Sequence, residues 1–125
     1  VILDTNFLLI PGMFNVDIFE EISLVCNFSY QLYILDKTLD ELDKIIREQK
    51  GKDRRNAQLA RSLVKAKHLK VIKTNSERTV DDLLVELAKK EQIVVATQDK
   101  ELKSRLKAEG AKIILLRQKK HLIIT

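Results

Sequence analysis

Short runs of apolar residues alternate along this chain with stretches in which apolar positions recur every three or four residues. The runs are Val1–Leu3, Leu32–Leu35, Leu69–Ile72, Ile93–Ala96 and Ile113–Leu116, with Leu122–Ile124 as a sixth candidate. They are brief, largely rich in Val and Ile, and continuous rather than alternating, which predicts strands covered on both faces. The stretches between them predict helices near 15–27, 38–49, 53–67, 79–90 and 99–108. In the fourth, Val80, Leu83, Leu84, Leu87 and Ala88 keep the spacing of one buried helix face. Gly110 stands where a left-handed residue would end the last helix. Strands alternating with helices predict a three-layer α/β/α domain over residues 1–125 with a central, mostly parallel five-stranded sheet. Right-handed crossovers would place helices on both of its faces.

Open parallel sheets bind ligands beyond the carboxyl ends of their strands, near the point where strand order reverses. Asp4-Thr5-Asn6 follows the first predicted strand, and Asp36, Thr38 and Glu41 follow the second. Asp81-Asp82 opens the helix after the third, and Thr97-Gln98-Asp99 follows the fourth. Each acid alone has a structural explanation. Thr38-Leu39-Asp40-Glu41 reads as a capping box, and Thr79-Val80-Asp81-Asp82 as an acidic helix start. Asp99 or Thr97 could cap the next helix, and Asp4 could begin a turn. Together the acids are harder to explain that way. Carboxylates about 4 Å apart repel by roughly 1 kcal/mol in water and about 4 kcal/mol at an effective dielectric of 20. A cluster on one sheet edge therefore calls for a cation, and oxygen-only donors point to Mg²⁺ or Mn²⁺.

Composition narrows the alternatives. With 45% hydrophobic and 33% charged residues in 125, the chain is long enough to bury a core. No apolar run reaches membrane-spanning length, and no signal-peptide pattern opens the chain, so a cytoplasmic protein without membrane attachment is expected. Three Gly and one Pro exclude a collagen-like or Pro/Gly-rich disordered chain. The lone Cys26 excludes an intramolecular disulfide and a Cys-based zinc site. The Lys/Glu-rich charge mix leans toward a heat-adapted source. No Gly-rich phosphate loop or nucleophile-elbow serine is present, and His68 and His121 lie far from the acids in sequence. Metal-assisted hydrolysis with Asp and Glu as the reactive groups remains.

The net charge of +5 is unevenly spread. Residues 44–70 carry ten Lys/Arg against two acids, and residues 100–120 carry eight against two, so the rest of the chain is acidic. Such blocks either solvate helix faces or attract a polyanion.

VILDTN at residues 1–6, the Glu in TLDELDK, the acidic pair in VDDLLVELA, and VVATQDKEL together resemble a PIN domain. The resemblance spans Val1 to about Leu116, and it rests on the order and spacing of the motifs rather than on any one of them. It implies a Mg²⁺- or Mn²⁺-dependent ribonuclease whose acidic cluster is Asp4, Glu41, Asp81 and Asp99. Thr5, Asn6 and Thr97 match positions that hold the cluster in place. Asp82 is turned about 100° from Asp81 around the helix and is a supporting candidate; Glu101 is weaker still. Two branches are similar: VapC-type toxins of toxin–antitoxin pairs, and the endonucleases that process small-subunit ribosomal RNA. The chain lacks the additional zinc ribbon of some rRNA-processing relatives. The expected partners are an RNA substrate, an antitoxin protein in the toxin branch, and a second copy in a homodimer.

The expected chemistry is phosphodiester hydrolysis, with Asp4, Asp81 and Asp99 holding metal and Glu41 completing the site. Lys50, Lys52, Arg54, Arg55 and Arg61 are the first candidates to hold RNA phosphates. Tyr30, Tyr33 and Phe7 read as core or strand residues, so little base readout is expected. The rival readings are a non-catalytic RNA-binding or scaffold protein whose acids are caps, a haloacid-dehalogenase-like phosphatase, and a receiver-like domain. The phosphatase wants Asp-x-Asp after the first strand, where this chain has Asn6.

Overall fold

A computed structural model describes all 125 residues. Six strands form one sheet: β1 Ile2–Leu3, β2 Tyr33–Leu35, β3 Lys70–Ile72, β4 Val94–Ala96, β5 Lys112–Arg117 and β6 His121–Ile124. Seven helices connect them: α1 Thr5–Leu8, α2 Ile10–Phe14, α3 Ile18–Val25, α4 Asp36–Glu48, α5 Gly51–Ala66, α6 Val80–Lys90 and α7 Lys100–Ala108. The sheet order is β3-β2-β1-β4-β5-β6, with the first five strands parallel. The expected five-stranded sheet therefore gains a strand. β6 pairs antiparallel with β5 because Gln118 and Lys119 both take left-handed conformations and reverse the chain within three residues.

Consecutive strand residues face opposite sides of a sheet, and this splits each apolar run between two cores. Leu3, Ile34, Ala96 and Ile114 face α1 to α5, where Phe7, Ile10, Ile18, Ile22, Leu42 and Ala57 are fully or almost fully buried. Ile2, Leu35, Val95 and Ile113 face the other layer, packing on Val80, Leu84, Leu102 and Leu106 of α6 and α7. Each fully buried Leu or Ile contributes roughly 1.5–3 kcal/mol relative to exposure. Continuous hydrophobicity thus reflects a sheet covered on both sides. β3 departs from this: Lys70 and Val71 are exposed and Ile72 is half-buried, because β3 is an edge strand. No helix is long and apolar enough to cross a membrane.

Between β1 and β2, the expected helix at 15–27 is one of three. Pro11 lacks an amide hydrogen and starts α2 afresh, and Asn15 ends it in the left-handed region. Asp17 then caps α3 by accepting the amides of Phe19 and Glu20, both at 3.1 Å. Gly12 lets α2 lie against α5, since a Cβ there would fall 2.4 Å from Asn56 Oδ1.

α4 begins at Asp36, directly after β2, two residues earlier than its sequence predicts. Thr38 is therefore inside the helix, fully buried, with a hydroxyl that has no partner. The capping-box reading of Thr38 and Glu41 is overturned, and Glu41 is released for another role. α5 likewise begins two residues early, at Gly51, whereas the start of α6 and the end of α7 follow the sequence. Thr79 caps α6 by accepting the Asp82 amide at 3.2 Å. Gly110 closes α7 with φ +80°, its amide bonding Lys107 O while that of Ala111 bonds Leu106 O.

Candidate active site

β1 lies at the centre of the sheet, where the connection from β3 crosses to β4 and strand order reverses. Asp4 follows it immediately. Its amide donates to Ala96 O at 2.9 Å, and the residue is only 5% exposed. Oδ1 accepts the Thr5 amide at 2.9 Å and Oδ2 accepts the Thr97 hydroxyl at 2.8 Å. The Thr5 hydroxyl donates to Glu41 Oε1 at 2.6 Å, tying α4 to the end of β1. The Thr97 oxygen accepts the Asp99 amide at 3.2 Å, and Asp99 in turn caps α7 by accepting the Leu102 amide at 3.0 Å. Asn6 Oδ1 accepts the Gln98 amide at 3.1 Å, closing the turn that carries Thr97 and Asp99. Thr5, Asn6 and Thr97 thus join Asp4, Glu41 and Asp99 into one hydrogen-bonded set.

Asp81 enters this set through charge. Burial pushes its carboxyl above the ordinary range, and the charges of Asp4 and Asp99 push it further, against the pull of Arg105. Burial likewise raises Asp4, opposed by its bonds from Thr97 and Thr5 and reinforced by the charges of Glu41 and Asp99. As the side chains stand, no three Asp, Glu, His or Cys residues meet around one metal position. Both Asp4 oxygens are taken by donors, Oδ1 by the Thr5 amide and Oδ2 by the Thr97 hydroxyl. The donor set nevertheless fits a hard divalent ion: every donor is oxygen, and two of the acids carry a repulsion that a cation relieves.

The remaining acids have other partners. Asp82 is paired to Arg105 at 2.8 Å, which lowers its carboxyl below the ordinary range. It links α6 to α7. Asp36 accepts the Thr74 amide, the Thr74 hydroxyl and the Lys37 amide, which also lowers it. Sequence reasoning named neither Arg105 nor Thr74, because no local spacing connects them to their acids. Gln98, which the sequence places in the same turn without a role, accepts the Leu116 amide on Oε1 at 2.7 Å and ties the turn to β5.

Lys50 lies exposed in the α4–α5 turn and Lys52, Arg54 and Arg55 lie exposed at the start of α5; α4 ends at Glu48, about 10 Å beyond Glu41 by the helical rise. Arg61 lies lower on α5 and pairs with Asp43 at 3.2 Å. Phe7 is fully buried, as expected. Tyr30 and Tyr33 line a cleft of about 910 Å³ together with Phe28, Val1 and Lys112. It opens at the edge where the strands begin, away from the acids, and carries none of the chemistry above.

A family described as "PIN like domain" matches residues 1–119. The chain belongs to the PIN-domain family. It is 30% identical over 123 residues to Ribonuclease VapC4 of Methanocaldococcus jannaschii, covering 97% of this chain and 92% of that protein. It is 27% identical over 124 residues to Ribonuclease VapC9 of Archaeoglobus fulgidus, covering 98% and 87%. The structure of the PIN domain endonuclease Utp24 matches with a TM-score of 0.78 at 23% identity, over 98% of this chain and 88% of that one. At that identity the likeness bears on the PIN fold alone. It agrees with the three-layer arrangement of this PIN domain.

Proposed function

We propose that this PIN domain is a Mg²⁺- or Mn²⁺-dependent endoribonuclease, acting as a VapC-type toxin or in rRNA processing, with Asp4, Glu41, Asp81 and Asp99 as its catalytic and metal-holding residues. The observation that carries the reading is Asp4, a buried carboxylate at the strand-order reversal that faces the charges of Glu41 and Asp99. The names of the two VapC relatives support ribonuclease activity and favour the toxin branch, in which an antitoxin protein is the partner and a homodimer the assembly.

A bound divalent ion supplies an acidified water for in-line attack on phosphorus and stabilisation of the leaving oxygen. Asp4, Asp81 and Asp99 would hold it, with Glu41 completing the set. Thr97 orients Asp4, Thr5 orients Glu41, and Asn6 holds the turn that presents Asp99. Lys50, Lys52, Arg54 and Arg55 hold backbone phosphates on the approach to the acids, and Arg61, shared with Asp43, contributes less.

Incubation of the protein with end-labelled single-stranded RNA tests this. Internal cleavage that needs Mg²⁺ or Mn²⁺, stops with chelator and is lost in Asp99→Asn supports it. Cleavage that survives chelation or Asp99→Asn overturns the metal site. RNA binding without cleavage under any divalent ion favours the scaffold reading. Replacing Arg54 and Arg55 by Glu should weaken RNA binding for all sequences alike. It should also flatten the slope of log K against log salt by about 0.7 per lost phosphate contact.

A further inference from the structure

Residues 73–79 carry the chain from β3 to the start of α6 without a helix or strand of their own. They are nevertheless fastened near both ends to the first turn of α4. Near the start, Asp36 Oδ2 accepts the Thr74 amide at 2.9 Å and Oδ1 accepts the Thr74 hydroxyl at 2.7 Å. Near the end, Lys37 Nζ donates to the Arg78 carbonyl. Asp36 Oδ1 also accepts the Lys37 amide at 2.8 Å, so the two fastening residues brace each other.

We propose that Asp36 and Lys37 form a clamp that positions Asp81 against Asp4 and Asp99. The clamp as a positioning device rests on the four-carboxylate reading above. Asp4, Glu41 and Asp99 are joined through Thr5 and Thr97, but no hydrogen bond ties Asp81 to any of them. Asp4 and Asp99 repel it. The apolar face of α6 holds that helix on the sheet, but it supplies no hydrogen bond that fixes where the first turn, with Asp81, meets the strand ends. The axial position of Asp81 is left to polar ties: Thr79 at its cap, the Asp82–Arg105 pair, and the entering loop. A displacement of about 1 Å is enough to spoil a reacting geometry. Asp36 and Lys37 touch neither substrate nor ion and are positioning residues.

Two measurements on the whole chain test the clamp: Mn²⁺ affinity by titration, and amide exchange at residues 74–81 in the metal-free protein. Asp36→Ala should speed exchange there and weaken Mn²⁺ binding roughly tenfold, as loss of an outer support does at metal sites. Thr74→Val keeps the amide bond and the shape, and should weaken binding about threefold. Asp17→Ala removes two comparable bonds from the cap of α3 and should leave Mn²⁺ affinity within about twofold. Asp36→Ala with parental affinity and exchange overturns the clamp, as does an equal loss in Asp17→Ala. If Asp36→Ala fails to fold, parental values in Thr74→Val overturn it. Should the parent chain bind no Mn²⁺, the four-carboxylate reading fails, and unchanged exchange in Asp36→Ala would overturn the clamp independently.

Discussion

Asp4 and Asp36 occupy the same place on neighbouring strands and do opposite things. Each is the first residue after a parallel strand, on the edge where such sheets bind ligands. Asp36 meets donors: two from Thr74 and one from Lys37, which hold its carboxyl below the ordinary range. Asp4 meets two donors too, yet burial and the charges of Glu41 and Asp99 leave it above that range. Register explains part of the difference. Ile2 pairs with Tyr33, so Asp4 stands level with Leu35, one residue deeper than Asp36, and its strand is one place further from the β3 edge of the sheet. A strand-end acid that finds matched donors becomes a fastener. One that finds other acids keeps an unbalanced negative charge, which the proposed metal ion would offset.

The largest expected effect separates the two residues by activity. Asp4→Asn keeps size and capping ability but removes the charge. Cleavage should fall on the order of a thousandfold, equal to about 4 kcal/mol of transition-state stabilisation. The metal-free protein should melt no lower than the parent, since a buried repulsion is relieved. If kinetics and thermal melts instead show Asp4→Asn active but unstable, Asp4 is a fastener as well and the comparison fails.

Asp36→Ala should show the reverse pattern. Stability should fall by about 1–2 kcal/mol through lost bonds to a charged acceptor, measured by denaturant melts. Cleavage at saturating metal should fall less than tenfold. A loss as large as that of Asp4→Asn would mean that Asp36 belongs to the reacting group.

Acidity sharpens the contrast with chelator present. Asp4 and Asp81 hold protons more tightly folded than unfolded, so the metal-free protein gains stability from them as pH falls from their raised values toward 3.8. Asp36 behaves oppositely: its contribution is complete above 3.8 and is lost as pH falls through its lower folded value. Melting temperature should therefore rise, as pH falls from neutral toward 3.8, more in the parent than in Asp4→Asn/Asp81→Asn. Below pH 4, Asp36→Ala should lose less than the parent. Parallel curves for all three would remove the electrostatic basis of the comparison.

The smallest effect concerns Thr38. Its buried hydroxyl is unpartnered, so Thr38→Val should stabilise the protein by up to about 1 kcal/mol. A loss of stability would restore Thr38 as a cap and return Glu41 to a structural role.

The layer architecture was legible from the chain alone because strands covered on both faces read as continuous apolar runs, and each alternates between the two cores. The motif set from VILDTN to VVATQDKEL marked the acids and their hydroxyl supports, since strand ends are fixed by local pattern. Three features were decided only on folding. Pro11 and Asn15 break the first connection into short helices whose apolar periods are too brief to register. Thr38 lies inside α4, because the chain enters the helix straight from β2 and leaves the apparent capping box unused. The sorting of Asp4, Asp36 and Asp82 into an unbalanced acid, a fastener and an ion pair depends on Glu41, Thr74 and Arg105, which lie 37, 38 and 23 positions away in the chain. Hydrogen bonds and charges act over a few ångströms of space regardless of sequence distance. An acid's place at a strand end is therefore written locally, whereas its protonation and its partner are settled by what the fold brings opposite it.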